Sequence, residues 1–419
     1  MHQRTWLSLL TLPLVVTFTI PMFYQQAPKP VKTGPGAAAI NDPLAGLADI
    51  QDVLAHIRVN YVDVPDMGKV LAGGIQGALE RANILNSYLT HGETQLPDPG
   101  SGETGLTLIK DRLFAIVIGV VPGSPAAKAG LQVGDGIRKM DGESLGSMSH
   151  WTMERKLRGP VGSEVTLVRM ASGSSELKNA VLKREKLQRP TIESRIDHRA
   201  IMVMLPDITE GRAKELNNLL KTTNTALPLV VDLRKCNGGS YDEAAKVASL
   251  LGCDGVFATL QETGHPDRPL NILSPEKLVF KKIAVLTGLG TVGSAETLAV
   301  ALKHLGDRPD NDTPETSKAV PTVIILGDRT IGQAVERRRF PLKQGGAVEI
   351  VTRRWLGCGG EPLDKMGPMP DYTLRGIPAS EDILPRILKK KKKGPTKPKG
   401  ESRRVASTAQ YQTSYPITT

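Results

Sequence analysis

Three stretches of this chain carry side chains or backbone that could do chemistry. The first is Leu286-Thr-Gly-Leu-Gly-Thr-Val-Gly-Ser-Ala-Glu296, a glycine-rich turn behind the apolar run Ile283–Leu286. It leads into a helical pattern with Leu298, Ala301, Leu302 and Leu305 on one face. A strand that stops in such a turn and opens a helix gathers backbone N–H groups around a small cavity. Many enzymes hold a nucleophile and its oxyanion donors in that geometry. Ser294 is the hydroxyl the turn offers; its simplest role is a helix N-cap, with Glu296 supporting the first turn. His304 could activate it only if the turn were rebuilt, because ten residues of helix span about 15 Å. The second stretch, Asp232-Leu-Arg-Lys-Cys-Asn-Gly-Gly239, places the thiol of Cys236 beside two glycines that can present amides. The third, Gly327-Asp-Arg-Thr-Ile-Gly-Gln333, is followed by the run Arg337–Arg339. There Arg337 either clamps a peptide carboxylate or belongs to a solvated charge run.

These stretches need elements to position them. Leu229–Leu233, Ile283–Leu286 and Val323–Leu326 are continuous apolar runs, as expected of strands buried on both faces. Helical patterns over Tyr241–Leu251 and after Ser294 lie between them, which predicts an α/β core. Upstream, residues from Pro43 and again over Met67–Leu85, ending near Leu89, follow helical spacing. Between these parts, residues 97–186 read as short strands around a helix over His150–Leu157, with Ser149 as its cap. Asp307–Ala319 reads as a surface insertion.

The net charge of +11 is misleading until it is located. Lys389–Lys393, Lys397, Lys399, Arg403 and Arg404 stand against the single acid Glu401, so most of the excess sits in a tail that reads as disordered. The remainder is nearly balanced and predicts no nucleic-acid face. Cys236, Cys253 and Cys358 match no metal-ligand spacing and build no disulfide framework, so neither metal nor cofactor is expected. Arg4 precedes an apolar run, Trp6–Phe23, of the kind found in a secretory signal or membrane anchor, and a Pro/Gly-rich linker follows to about residue 40. Export to the periplasm or cell envelope is the expectation.

Gly105-Leu-Thr-Leu108, the following extended run and Pro122–Gly130 resemble a PDZ domain, with Gly105, Leu106, Thr107 and Leu108 in place of its carboxylate-binding loop. Consecutive amides there could receive the C-terminus of a protein or peptide, which would add as a strand. From about residue 45 to 385 the order of motifs resembles the carboxy-terminal processing, or tail-specific, protease family. The match includes Tyr61-Val-Asp63, Ser87–Thr90, Asp232–Gly239 with Asp242-Glu-Ala244, Gly327–Gln333, Phe340-Pro-Leu342 and Gly367-Pro-Met-Pro-Asp371. The resemblance implies a parallel-rich protease-like core, related to the crotonase-like ββα arrangement, with an inserted PDZ domain. It implies this organisation: 1–40 signal or anchor and linker; 41–96 helical segment; 97–186 PDZ domain; 187–388 core; 389–419 basic tail.

In that family a serine attacks the scissile carbonyl and a neutral lysine takes its proton. Setting Glu296 on the family's glutamate puts Gly293 at the serine and Gln333 at the lysine. Arg337 then falls on the family's glutamine and His304 on its aspartate. Gly238, Gly239 and the Ser294 amide keep the oxyanion positions. Losing one member of such a unit costs roughly 10⁴–10⁶ in rate, and donors without a nucleophile leave roughly 10³–10⁴ over water. The expectation is a pseudoprotease that binds C-termini. The alternative is an active serine endopeptidase with relocated groups, for which Ser294 and Cys236 are the candidates. A further reading docks the basic tail on an anionic envelope polymer or lipid surface.

Overall fold

The computed structural model describes residues 46–374 apart from 112, 197–198, 273–277, 308–320 and 365–366. The N-terminal apolar run, the basic tail and nearly all of the 307–319 insertion lie outside the described residues. The chain divides at Pro65 into two units. In the first, the helix Leu47–Asn60 has no buried residue.

The second unit opens with the helix Met67–Ala82, whose first amides donate to the Asp66 carboxylate. Helical spacing does not carry on to Leu89 as expected. The helix stops at Asn83, and Ser87–Leu89 forms a strand antiparallel to Ala347–Leu356. Gln76 fixes this change of direction, because its Oε1 accepts from the Tyr88 amide at 2.7 Å while its Nε2 donates to Asn86 O at 3.2 Å.

Next comes an antiparallel sheet with the order Leu106–Asp111, Phe114–Val120, Gly136–Met140, Glu164–Met170, Leu177–Lys183. Leu108, Val117, Ile137, Leu167 and Leu182 fill one side of it together with Met153 of the helix His150–Leu157. That helix is capped as predicted: Ser149 Oγ accepts from the Thr152 amide at 3.1 Å.

The core holds two sheets. In one, Ile201–Met204, Leu229–Asp232, Lys282–Thr287 and Thr322–Gly327 run parallel, with Glu193–Ile196 antiparallel at the edge. Leu229–Asp232 is buried throughout and Lys282–Thr287 is buried beyond its first residue, as strands covered on both faces must be. The other sheet is antiparallel and joins Ser87–Leu89, Ala347–Leu356, Val256–Glu262 and Arg268–Asn271, with Val335–Pro341 paired to Ala347–Leu356. The helix Ser294–Gly306 packs against both sheets, so ten of its residues from Ser294 to Leu305 are buried. This sandwich positions the start of that helix deep in the core.

Candidate functional site

The glycine-rich turn is held from below by side chains and from the side by the PDZ-like sheet. Thr291 Oγ1 donates to Leu233 O at 2.7 Å and accepts from the Gly288 amide at 3.0 Å. At Gly290 a Cβ would come within 2.5 Å of Arg234 O and 2.7 Å of Ile118 O, so only glycine lets the turn pass between core loop and PDZ strand. Gly293 ends the turn at φ 58°, ψ −116°. A side chain held at such angles costs about 1–3 kcal/mol, a strain typical of catalytic turns. Space is not the obstacle: a Cβ there would meet only Gln333 O and Tyr241 Oη, each at 3.7 Å. The two positions assigned to nucleophile and base thus adjoin, and neither carries a reactive group.

Gly293, not Ser294, is the N-cap of the helix. The Ser294 cap predicted from sequence is therefore wrong by one residue. Ser294 is 1% exposed and its hydroxyl has no hydrogen-bond partner, so no base stands ready to activate it. His304 lies exposed near the far end of the same helix.

Beneath the turn sits a group that sequence reasoning used only as an alignment mark. The fully buried Glu296 carboxylate accepts from the amides of Gly293 (3.1 Å), Gly332 (2.7 Å) and Gln333 (2.8 Å) and from Thr330 Oγ1 (2.5 Å). One side chain therefore ties position 293 to position 333. Burial pushes its pKa up to about 7 against the pull of those donors. Tyr241, stacked on Trp355 with ring centroids 4.1 Å apart, closes the other side. Burial, then the charges of Glu296 and Glu336, drive its phenol well above the ordinary range.

The loop Asp232–Gly239 lies against the same turn. A Cβ on Gly238 would stand 3.6 Å from the Ser294 amide nitrogen, so these two positions lie close together. Gly239 instead packs its backbone on Ile208 O. Cys236 is fully buried, and burial raises its thiol to about 12, although the Gly238 amide hydrogen bond opposes that shift. A thiol so rarely ionised is an inert core side chain. Its sequence candidacy as a displaced nucleophile is withdrawn.

The PDZ loop reaches this site directly. Leu106 and Leu108 point into the PDZ core, while the hydroxyl of Thr107 accepts from Asn237 Nδ2 at 2.7 Å. Thr107 thus ties the carboxylate loop to the glycine loop, a role its sequence did not reveal. Arg337 is neither a free clamp nor a solvated charge. Its Nη2 donates to both Glu154 oxygens, at 3.0 and 2.9 Å, joining the core to the PDZ helix. Burial works against the Glu154 charge, yet His150 and Arg337 hold its pKa down at about 2. Arg338 and Arg339 are likewise paired, with Glu262 and Glu349. We expect Arg337→Ala and Glu154→Ala to be non-additive, with a coupling of about 0.5–1 kcal/mol in a denaturation double-mutant cycle. Strict additivity would mean the bridge holds nothing.

Among the described residues no group of three or more His, Cys, Asp or Glu side chains is arranged to hold a metal. A buried turn and glycine loop on a sheet sandwich, met by the loop Gly105–Leu108, define a scaffold in which a PDZ-like domain adjoins an enclosed α/β site. The family models agree: residues 116–168 match the PDZ domain and 200–309 match peptidase family S41. The chain is 24% identical over 343 residues to a carboxy-terminal-processing protease of Bartonella bacilliformis, covering 78% of this chain and 75% of that one. It is 26% identical over 339 residues to a probable CtpA-like serine protease of Staphylococcus aureus, covering 79% and 65%. The photosystem II D1 C-terminal processing protease shares the fold, with a TM-score of 0.58 at 22% identity over 77% of this chain and 86% of that one. The chain is similar to the carboxy-terminal processing proteases, with one stretch that matches peptidase family S41 and another that matches the PDZ domain.

Proposed function

We propose that this protein is a pseudoprotease that binds the C-termini of proteins or peptides and does not cleave them. One observation carries the reading: Gly293 stands at the position the resemblance gives to the nucleophile and Gln333 at that of the base, with the Gln333 carbonyl 3.7 Å from where a Cβ on Gly293 would stand, and neither side chain is a nucleophile or a base. The relocated-nucleophile alternative loses support from the buried, unpartnered Ser294 hydroxyl and the raised Cys236 thiol.

Binding is supported by the PDZ domain. Among the described strands, Leu106–Asp111 pairs only with Phe114–Val120, leaving its other edge for an added strand. At the loop, the Leu106 amide makes only a long 3.4 Å contact to Thr104 Oγ1, which a carboxylate can replace. The Arg4-led apolar run supports export, with that run as signal or anchor, and the lysine tail supports docking on an anionic envelope surface.

The test uses purified protein and unfolded substrates with apolar C-termini. Saturable binding without turnover, weakened about tenfold or more by amidating the peptide C-terminus, is the expected result. Turnover that Ser294→Ala or Cys236→Ala abolishes would overturn it.

A further inference from the structure

A crevice opens on the side of the PDZ helix away from the PDZ core. His150, Met153 and Leu157 face that core, which leaves Trp151 and Arg155, one turn apart, on the other side. A crevice of about 340 Å³ runs from there, past Leu96 and Pro99, to Arg158 and Arg184. Its guanidiniums make only neutral contacts. Arg155 donates to Pro97 O, and Arg158 to Gly100 O at 3.4 Å. Arg184 is 7% exposed; it donates to Ser163 Oγ at 2.9 Å, Glu164 O at 2.7 Å and Lys156 O at 2.5 Å, while its Nε is buried without an acceptor.

Among the described residues none of these three arginines has a carboxylate partner. The acid in the crevice, Glu93, is engaged by the Thr90 amide and hydroxyl and by Thr152. Lys156 is occupied by Glu143 and Asp141. A desolvated guanidinium whose partners are all dipoles is half of an ion pair. The missing half is an anion.

We propose that this crevice binds an acidic peptide segment. Its carboxylates pair with Arg155, Arg158 and Arg184, and an apolar side chain packs on Trp151 and Leu96. Guanidinium forks match carboxylates bidentately. The Trp151 ring is already polarised by Arg155 and Arg339, whose guanidinium carbons lie 5.4 and 5.7 Å from its centroid. The apolar wall and the short reach of the crevice favour a few side chains over a polyphosphate backbone. The site is separate from the carboxylate loop and independent of whether the core cleaves.

The experiment follows the anisotropy of a labelled, N-acetylated and C-terminally amidated peptide of Glu, Asp and Leu on the full chain at low salt. Amidation removes the carboxylate the PDZ loop would take, so the two sites are read apart. Saturable binding is expected, weakened about tenfold or more in Arg155→Ala/Arg158→Ala and by added salt. Arg184→Met, checked for folding by circular dichroism, is expected to weaken it as well. Absence of saturable binding, equal affinity of native and double-variant protein, or tighter binding of an oligonucleotide than of the peptide would each overturn the proposal.

Discussion

Gly293→Ser combined with Gln333→Lys is expected to create a fluorophosphonate-reactive serine where the native protein has none. The backbone at 293 already has the strained conformation, and a Cβ there meets nothing closer than 3.7 Å. The left-handed φ of 58° costs the new residue about 1–3 kcal/mol of stability, so the variant should melt earlier but still fold. Position 333 borders a cavity of about 260 Å³ lined by Glu80, Ile109 and Gly332, which gives a lysine side chain room. Glu80 is already engaged by Lys110 at 2.5 Å and is not free to capture it. Each single variant should remain silent, because half of a nucleophile–base unit forfeits roughly 10⁴–10⁶ in rate. Intact-mass measurement after labelling decides the matter. Stoichiometric labelling of the native protein, or equal labelling of Gly293→Ser alone and of the pair, would contradict this account of the site.

The second large effect concerns Glu296. Replacing it with alanine strips the acceptor from three backbone amides and the Thr330 hydroxyl in a site without water access, at a cost of about 3–5 kcal/mol. The pH dependence has a definite sign. The folded-state pKa of about 7 lies above the ordinary 4.5, so the native protein keeps a proton that the unfolded chain releases between those values. The contribution is therefore complete below about pH 4.5 and is lost as pH rises toward 7, a change of about 3 kcal/mol. When protonated, Glu296 can direct its O–H only toward Thr330, whose hydroxyl can turn from donor to acceptor, whereas the amide contacts are fixed donors. Glu296→Gln should flatten this slope and also lower stability by about 1–3 kcal/mol, because its NH₂ must face the Gly332 amide. Urea unfolding of native and Gln variant between pH 4 and 8 is the measurement. Parallel curves would show that Glu296 does not titrate in this window.

The parallel sheet was legible because its strands are buried on both faces and read as unbroken apolar runs. The antiparallel sheet was not. Val335–Pro341 carries three arginines in succession, and Arg353 and Arg354 interrupt its partner, so charge hides the strand period. Those charges are satisfied by Glu262, Glu336, Glu349 and Asp364, which lie far away in sequence or across the hairpin. No local pattern announces such pairings. At the site, motif order singled out Gly293 and Gln333, and the Gln333 carbonyl lies 3.7 Å from where a Cβ on Gly293 would stand. What motif order missed was long-range chemistry. It gave no sign that Glu296 collects four donors, that Arg337 reaches across to Glu154, or that Thr107 meets Asn237.

On the proposed pseudoprotease reading, the glycine at 293 has a consequence for the history of this chain. A residue without a Cβ occupies that left-handed corner at almost no cost, so once a hydroxyl-bearing side chain is absent the corner relaxes and selection no longer has to offset its tension. Going back demands that the tension be reintroduced in the same lineage that regains an amine at 333, since neither change alone confers any benefit. On that reading the turn behaves as a ratchet: it preserves the outline of an enzyme while making the return to one a two-step climb with no foothold between.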